Sequence, residues 1–209
     1  AIELAHVIGV AEPRVAILAA VETVNPHMPS TLDAAALCKM ADRGQITGGL
    51  LDGPLAFDNA VSPEAARVKG IRSQVAGRAD VLVVPDLESG NMLAKQLEYL
   101  GGANSAGIVM GARVPVVLTS RADSRQTRLA SCAIAVMLAQ PARAWSCHGR
   151  GMNLNPFSLA GKKGLILGDR RSVVKGKSVR ERVDLGGRRI IKKKNGRHVT
   201  HAFSLSHGS

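Results

Sequence analysis

The 209-residue chain has a formal charge of +12, with 28 Lys+Arg against 16 Asp+Glu. Such an excess usually points to a nucleic-acid or membrane surface, but its distribution argues against both. Residues 1–141 hold 12 basic and 13 acidic side chains, a net of −1, whereas residues 142–209 hold 16 and 3, a net of +13. The first segment is rich in Ala, Val, Leu, Ile and Gly, has only Phe57 and Tyr99 as aromatics, and is long enough for one α/β domain. The chain therefore reads as a folded domain over 1–141 followed by a basic, largely disordered tail over 142–209. No run of about 20 apolar residues could span a bilayer, and no signal peptide is visible. Cys38, Cys132 and Cys147 are widely spaced, as in reduced thiols of a cytoplasmic protein. The chain lacks an initiator Met and opens in a helical pattern, Ile2 to Ile8, so a fragment without its N-terminal part is expected.

In chain order, Val15–Ala20 reads as a buried strand after the Glu12-Pro13 turn. A helix follows from Pro29 to about Asp42, with Ser30 or Thr31 as its cap and Gly44 as its end. Ile46–Leu51 is a second apolar segment, and Asp52-Gly-Pro54 reads as a turn. Ser62-Pro63 caps and opens a helix to about Lys69. Asp80–Pro85 is a strand, Asn91–Leu100 a helix closed by Gly101-Gly102, and Gly107–Met110 and Val114–Leu118 are further strands, the latter buried. Ser124 opens a last, alanine-rich helix to about Ala139. Strands alternating with helices imply an α/β fold with a mostly parallel sheet and helices on both faces. A short strand is allowed at Gly164–Leu167 in the tail.

Ligands of such sheets bind beyond the carboxyl ends of the strands. Polar residues gather there: Glu22 and Asn25; Asp52, Asp58 and Asn59; Asp86, Glu88, Asn91 and Lys95; Ser120, Arg121 and Asp123. The last group is the most telling, because a turn needs no arginine. A strand running through a polar turn into a helix offers free backbone N–H groups and a partial positive charge to an anion. Arg121 adds a forked, permanently charged donor, and Ser120 a hydroxyl. Asp52, Asp58 and Asp86 could be mistaken for a metal cluster, but no metal site is expected, and His198 and His201 lack further ligands. The Lys192–Lys194 run reads as a solvated charge run, so no nucleic-acid partner is expected.

Four motifs, Val21-Glu-Thr-Val-Asn-Pro26, Asp52-Gly-Pro-Leu-Ala-Phe-Asp-Asn59, Pro85-Asp-Leu-Glu-Ser-Gly-Asn91 with Lys95, and Thr119-Ser-Arg-Ala-Asp-Ser124, together resemble the phosphate acetyltransferase/phosphate butyryltransferase family. The resemblance covers residues 1 to about 140 and looks like the C-terminal half of such an enzyme. It implies an isocitrate/isopropylmalate dehydrogenase-like fold, truncated at its N-terminus. It also implies transfer of an acetyl or butyryl group between coenzyme A and inorganic phosphate. Coenzyme A or acetyl-CoA and the acyl phosphate are then substrates, no cofactor is held tightly, and the full-length enzyme is a homodimer without a membrane partner. Ser120 and Arg121 fall on the family's catalytic Ser-Arg pair. The position that carries a proposed general-base aspartate in well-studied acetyltransferases is Thr127 here, which leaves Asp123 as the nearest replacement and helix capping as its rival role. The rim residues Asn25, Asp86, Asn91 and Lys95 are candidates for substrate binding.

Thiolate attack on an acyl phosphate builds negative charge on the carbonyl oxygen and the leaving phosphate, which fixed donors at a helix start can stabilise. Two rival readings stay open: a non-catalytic fragment or basic-tail binding module, and a dehydrogenase of the same fold class. In the tail, Met152–Gly168 resembles the start of an NADH-dependent enoyl-acyl-carrier-protein reductase.

Overall fold

The computed structural model describes residues 1–139 and, as backbone only, the strands at 166–169 and 201–203. The apolar segments pair as parallel strands: β1 (Arg14–Leu18), β2 (Leu50–Leu55) and β3 (Val81–Val84), in the order β2-β1-β3. Val15 lies opposite both Leu51 and Val81. Arg14 fixes this register at the strand starts. Its guanidinium donates to both oxygens of Asp80, through Nε at 2.9 Å and Nη2 at 3.0 Å, and this pairing holds the Arg14 pKa above its usual value.

Side chains alternate across a strand, so a parallel sheet must be covered twice. Val15, Ile17 and Val81 turn to one face, where they meet Leu4 and Ala5 of α1 (Ile2–Val7) and Ala34 and Leu37 of α2 (Pro29–Asp42). Ile134 and Leu138 of α6 (Arg125–Ala139) close that side. Ala16, Leu18, Leu82 and Val84 turn to the other face. There they meet Ala60 of α3 (Phe57–Val61), Ala66 of α4 (Pro63–Val68) and Ala94 of α5 (Leu87–Tyr99). The expected helices on both faces are present. Each large aliphatic side chain removed from water here contributes about 1.5–3 kcal/mol.

Several expectations need correction. Asp52-Gly53-Pro54 is not a turn but the middle of β2, with a cis Gly53–Pro54 peptide. The ladder to β1 is irregular between Ala16 and Leu18, opposite this stretch. A Cβ on Gly53 would lie 2.7 Å from Ile17 Cβ, so only glycine lets the strands approach there. Asp52 accordingly sits inside β2, paired with Ala16, rather than at a strand exit. Helix α2 takes Met28 as its cap with Pro29 in its first turn, and no side chain caps it. Thr31 is instead buried, accepting from Asn25 N at 2.9 Å and donating to Met28 O at 2.8 Å. Helix α5 begins at Leu87, one turn before Asn91, because Asp86 Oδ1 caps it by accepting from Ser89 N at 2.7 Å.

The run Val114–Leu118 forms only a two-residue strand, β5 (Val116–Val117), antiparallel to β4 (Gly107–Val109) and exposed along its length. An apolar run states what a segment could bury; among the described residues, β4 and α6 are the elements that pack on it. Beyond residue 141, β6 (Ile166–Asp169) extends the parallel sheet beside β3, and β7 (His201–Phe203) pairs antiparallel with β4. The tail thus supplies a strand to each sheet, one of them near the strand expected at 164–167. The disorder expected for the rest of 142–209 lies outside the described residues.

Candidate active site at the Ser-Arg turn

Residues 120–123 form a turn that closes on itself. Asp123 N donates to Ser120 O at 3.2 Å, Ala122 N to Ser120 Oγ at 3.3 Å, and Ser120 N to Asp123 Oδ2 at 2.6 Å. Ser124 then caps α6: its Oγ accepts from Thr127 N at 3.1 Å and meets Thr127 Oγ1 at 3.0 Å. Capping therefore falls to Ser124, and Asp123 bonds backward into its own turn. Thr127, where a family base would stand, is buried and committed to this cap.

Arg121 points from the turn as an exposed side chain, and among the described residues no side chain pairs with its guanidinium. Its carbonyl accepts from Arg128 Nη2 at 3.2 Å, so a second guanidinium lies beside the first residue's backbone. Arg128 was missed in the sequence because a basic residue in the first turn of an exposed helix face carries no signal of its own. Two cations flanking a helix start make a locally positive surface suited to an anion.

The turn docks on α5 through Lys95. Its Nζ lies 3.6 Å from Asp123 Oδ1 and 2.9 Å from Glu98 Oε2, and sits 5.5 Å from the centre of the Tyr99 ring. The hydrogen bond to Glu98 outweighs the opposing effect of desolvation and, with the charges of Glu98 and Asp123, holds the Lys95 ammonium above its ordinary pKa. Asn91 lies one helical turn before Lys95 and is exposed.

The other strand exits form a second polar group. Asn59 is fully buried after β2 and donates through Nδ2 to Glu22 Oε2, beyond β1, at 3.4 Å. Lys69 bridges Glu22 at 3.5 Å and Asp58 at 3.0 Å. The Lys69 hydrogen bond holds the Asp58 carboxyl below its ordinary pKa. Asn25 belongs to the loop ahead of α2, where its Oδ1 accepts from His27 N at 2.9 Å. The structure thus gathers Lys95, Ser120, Arg121 and Asp123, keeps Asp86 at the helix start, and ties Asn25 into its own loop. Among the described residues no cluster of His, Cys, Asp or Glu is placed to hold a metal ion, and no helix is long and apolar enough to cross a membrane.

All of these positions fall within the stretch, residues 1–136, that matches the sequence profile of the phosphate acetyl/butaryl transferase family. The chain belongs to this family. It is 69% identical over 144 residues to a phosphate acetyltransferase of Rhizobium meliloti, covering 69% of this chain and 46% of that one. It is 52% identical over 138 residues to a phosphate butyryltransferase of Clostridium acetobutylicum, covering 66% and 46%. The crystal structure of a branched-chain phosphotransacylase from Enterococcus faecalis V583 superposes with a TM-score of 0.60 at 38% identity, over 66% of this chain and 50% of that one. The chain thus spans about half the length of the curated relatives it matches. The family match ends at residue 136, so the resemblance of 152–168 to a reductase finds no support.

Proposed function

We propose that this chain carries the acyl-transfer turn of a phosphate acyltransferase, which moves an acetyl or butyryl group between coenzyme A and inorganic phosphate. The observation that carries the reading is the exposed Arg121, whose guanidinium pairs with no side chain among the described residues, on a turn closed by Asp123 and set at the start of α6. In the direction of acyl-CoA formation, the coenzyme A sulfur attacks the carbonyl carbon of the acyl phosphate, and the carbon–oxygen bond to phosphate then breaks. Charge develops on the carbonyl oxygen and on the departing phosphate. Arg121 meets the phosphate, Ser120 Oγ donates toward the developing oxyanion, and the helix start adds fixed dipoles that need no reorganisation. Proximity of Arg121 also favours the thiolate over the thiol.

Asn25, Asp86 and Asn91 complete the rim on which the longer substrate would lie. The order β2-β1-β3 with helices on both faces supports an isocitrate/isopropylmalate dehydrogenase-like layout. The reading implies a homodimeric full-length enzyme in the cytoplasm and no tightly held cofactor. Family membership favours acyl transfer over the dehydrogenase alternative.

The test is coenzyme A-dependent consumption of acetyl phosphate and butyryl phosphate by the chain, with parallel calorimetry. Coenzyme A-dependent release of phosphate supports the reading. Binding of coenzyme A without turnover supports a non-catalytic fragment, and neither binding nor turnover overturns the proposal.

A further inference from the structure

We infer that Lys95 and Asp123 form a latch that fixes the Ser120–Arg121 turn on helix α5, with Asp123 acting as a positioning residue rather than as the proton acceptor. The inference rests on the acyltransferase reading and assigns roles within that same site.

Both oxygens of the Asp123 carboxylate are engaged. Oδ2 takes the Ser120 amide at 2.6 Å, and Oδ1 faces Lys95 Nζ at 3.6 Å. The Asp123 side chain is only 9% exposed, so it is turned into the protein, whereas Ser120 and Arg121 are exposed. A proton acceptor for a substrate thiol needs a free oxygen facing the substrate, within hydrogen-bond reach. Asp123 offers instead what a turn needs: a charged acceptor for an amide that no ladder satisfies. Lys95 is likewise committed. Its charge is shared between Glu98 and Asp123, and its ammonium lies 5.5 Å from the centre of the Tyr99 ring, which leaves it a poor phosphate donor and a good tether. Through this pair, a residue in the third turn of α5 sets where Arg121 stands. A reacting group misplaced by about 1 Å can cost on the order of a hundredfold in rate, so a latch of this kind has a kinetic consequence without touching substrate.

The pair is tested with Asp123→Ala, Asp123→Asn, Lys95→Met, Lys95→Arg and the double variant Asp123→Ala/Lys95→Met of the 209-residue chain. Two readouts apply: the kinetics of acyl transfer from acetyl phosphate to coenzyme A, and hydrogen exchange at the Ser120 amide. Asp123→Ala should lower kcat on the order of a hundredfold. Asp123→Asn keeps an oxygen for the Ser120 amide and should recover most of that loss. Lys95→Arg should resemble the wild type. Lys95→Met should be slow alone but add nothing in the Asp123→Ala background, because the two residues act as one unit. An Asn variant as damaged as the Ala variant would assign the base to Asp123 and overturn the inference. A Lys95→Met effect that persists in the double variant would place Lys95 on the substrate and overturn it equally. Should the wild-type chain transfer no acyl group, as a non-catalytic fragment would not, amide exchange decides the latch alone. Faster exchange in Asp123→Ala and Lys95→Met, but not in Asp123→Asn, upholds it; unchanged exchange sinks it.

Discussion

Asn59 Nδ2 reaches Glu22 Oε2 at 3.4 Å and so ties the exit of β2 to the exit of β1. The other end of the same amide, Oδ1, is buried without a hydrogen-bond partner among the described residues. An amide suits this place because one end must donate to a carboxylate; an acid of the same shape would not. Asn59→Asp would bury a second negative charge against Glu22 and beside Asp58, and should cost about 3–5 kcal/mol at neutral pH. Urea unfolding measures this, and the loss should shrink at acid pH as the new carboxyl protonates. A variant as stable as the wild type would show that the site is wetter than its burial indicates.

Lys69 and Asp58 set a pH dependence. The Lys69 hydrogen bond lowers the Asp58 pKa in the folded state, so the folded form binds that proton less readily than the unfolded form. The resulting stability is present above the ordinary carboxyl pKa of about 4 and is lost as pH falls through the lowered folded value. Lys69→Met should flatten this part of the acid limb of unfolding free energy against pH. An unchanged acid limb would remove the pair from the account.

Cys38 and Cys132 should differ in reactivity. Burial, helped by the charges of Asp52 and Asp42, pushes the Cys38 thiol up to about 12, and its Sγ donates to Gly53 O at 3.5 Å. Cys132 is exposed on α6. Iodoacetamide near pH 8 should alkylate Cys132 and spare Cys38 until the protein is unfolded, because the thiolate is the reactive form. Mass spectrometry of native and denatured protein reads the difference, and early modification of Cys38 would contradict its burial.

A piece comprising residues 1–141 should keep the core formed by the described residues, whose two clusters run from Ala1 to Leu138. It would lose β6 and β7 and leave the edges of β3 and β4 unpaired, so it should be less stable but still unfold cooperatively. Limited proteolysis followed by thermal unfolding of the product checks this, and a piece without a cooperative transition would show that the tail belongs to the core.

Local chemistry made some of this structure legible in the sequence. Ser62 ahead of Pro63 and Ser124 ahead of Arg125 are caps whose side chains satisfy the first free amides, and both act as read. Other elements depend on distant partners. Asp52-Gly53-Pro54 has turn composition, yet pairing with β1 holds it in a strand. Gly90 disguised the start of α5 as a loop. It is glycine because a Cβ there would come within 2.9 Å of Val84 Cγ2, a packing requirement no local pattern reveals. The strand-exit pattern drew these polar residues onto one rim, but it misplaced Asp52, which lies within β2, and could not show that the others separate into two groups. Nor could they join Lys95 to Asp123, 28 positions away, since that contact exists only once α5 and the turn are in place.

The central claim is that Arg121, held on its closed turn, receives the phosphate of the substrate. Calorimetric titration of inorganic phosphate and acetyl phosphate into the wild-type chain and into Arg121→Ala tests it most directly. Losing one charge-assisted donor should weaken binding roughly tenfold to a hundredfold, with unchanged thermal stability because the side chain is exposed. Equal affinity of the two proteins for both ligands would contradict it.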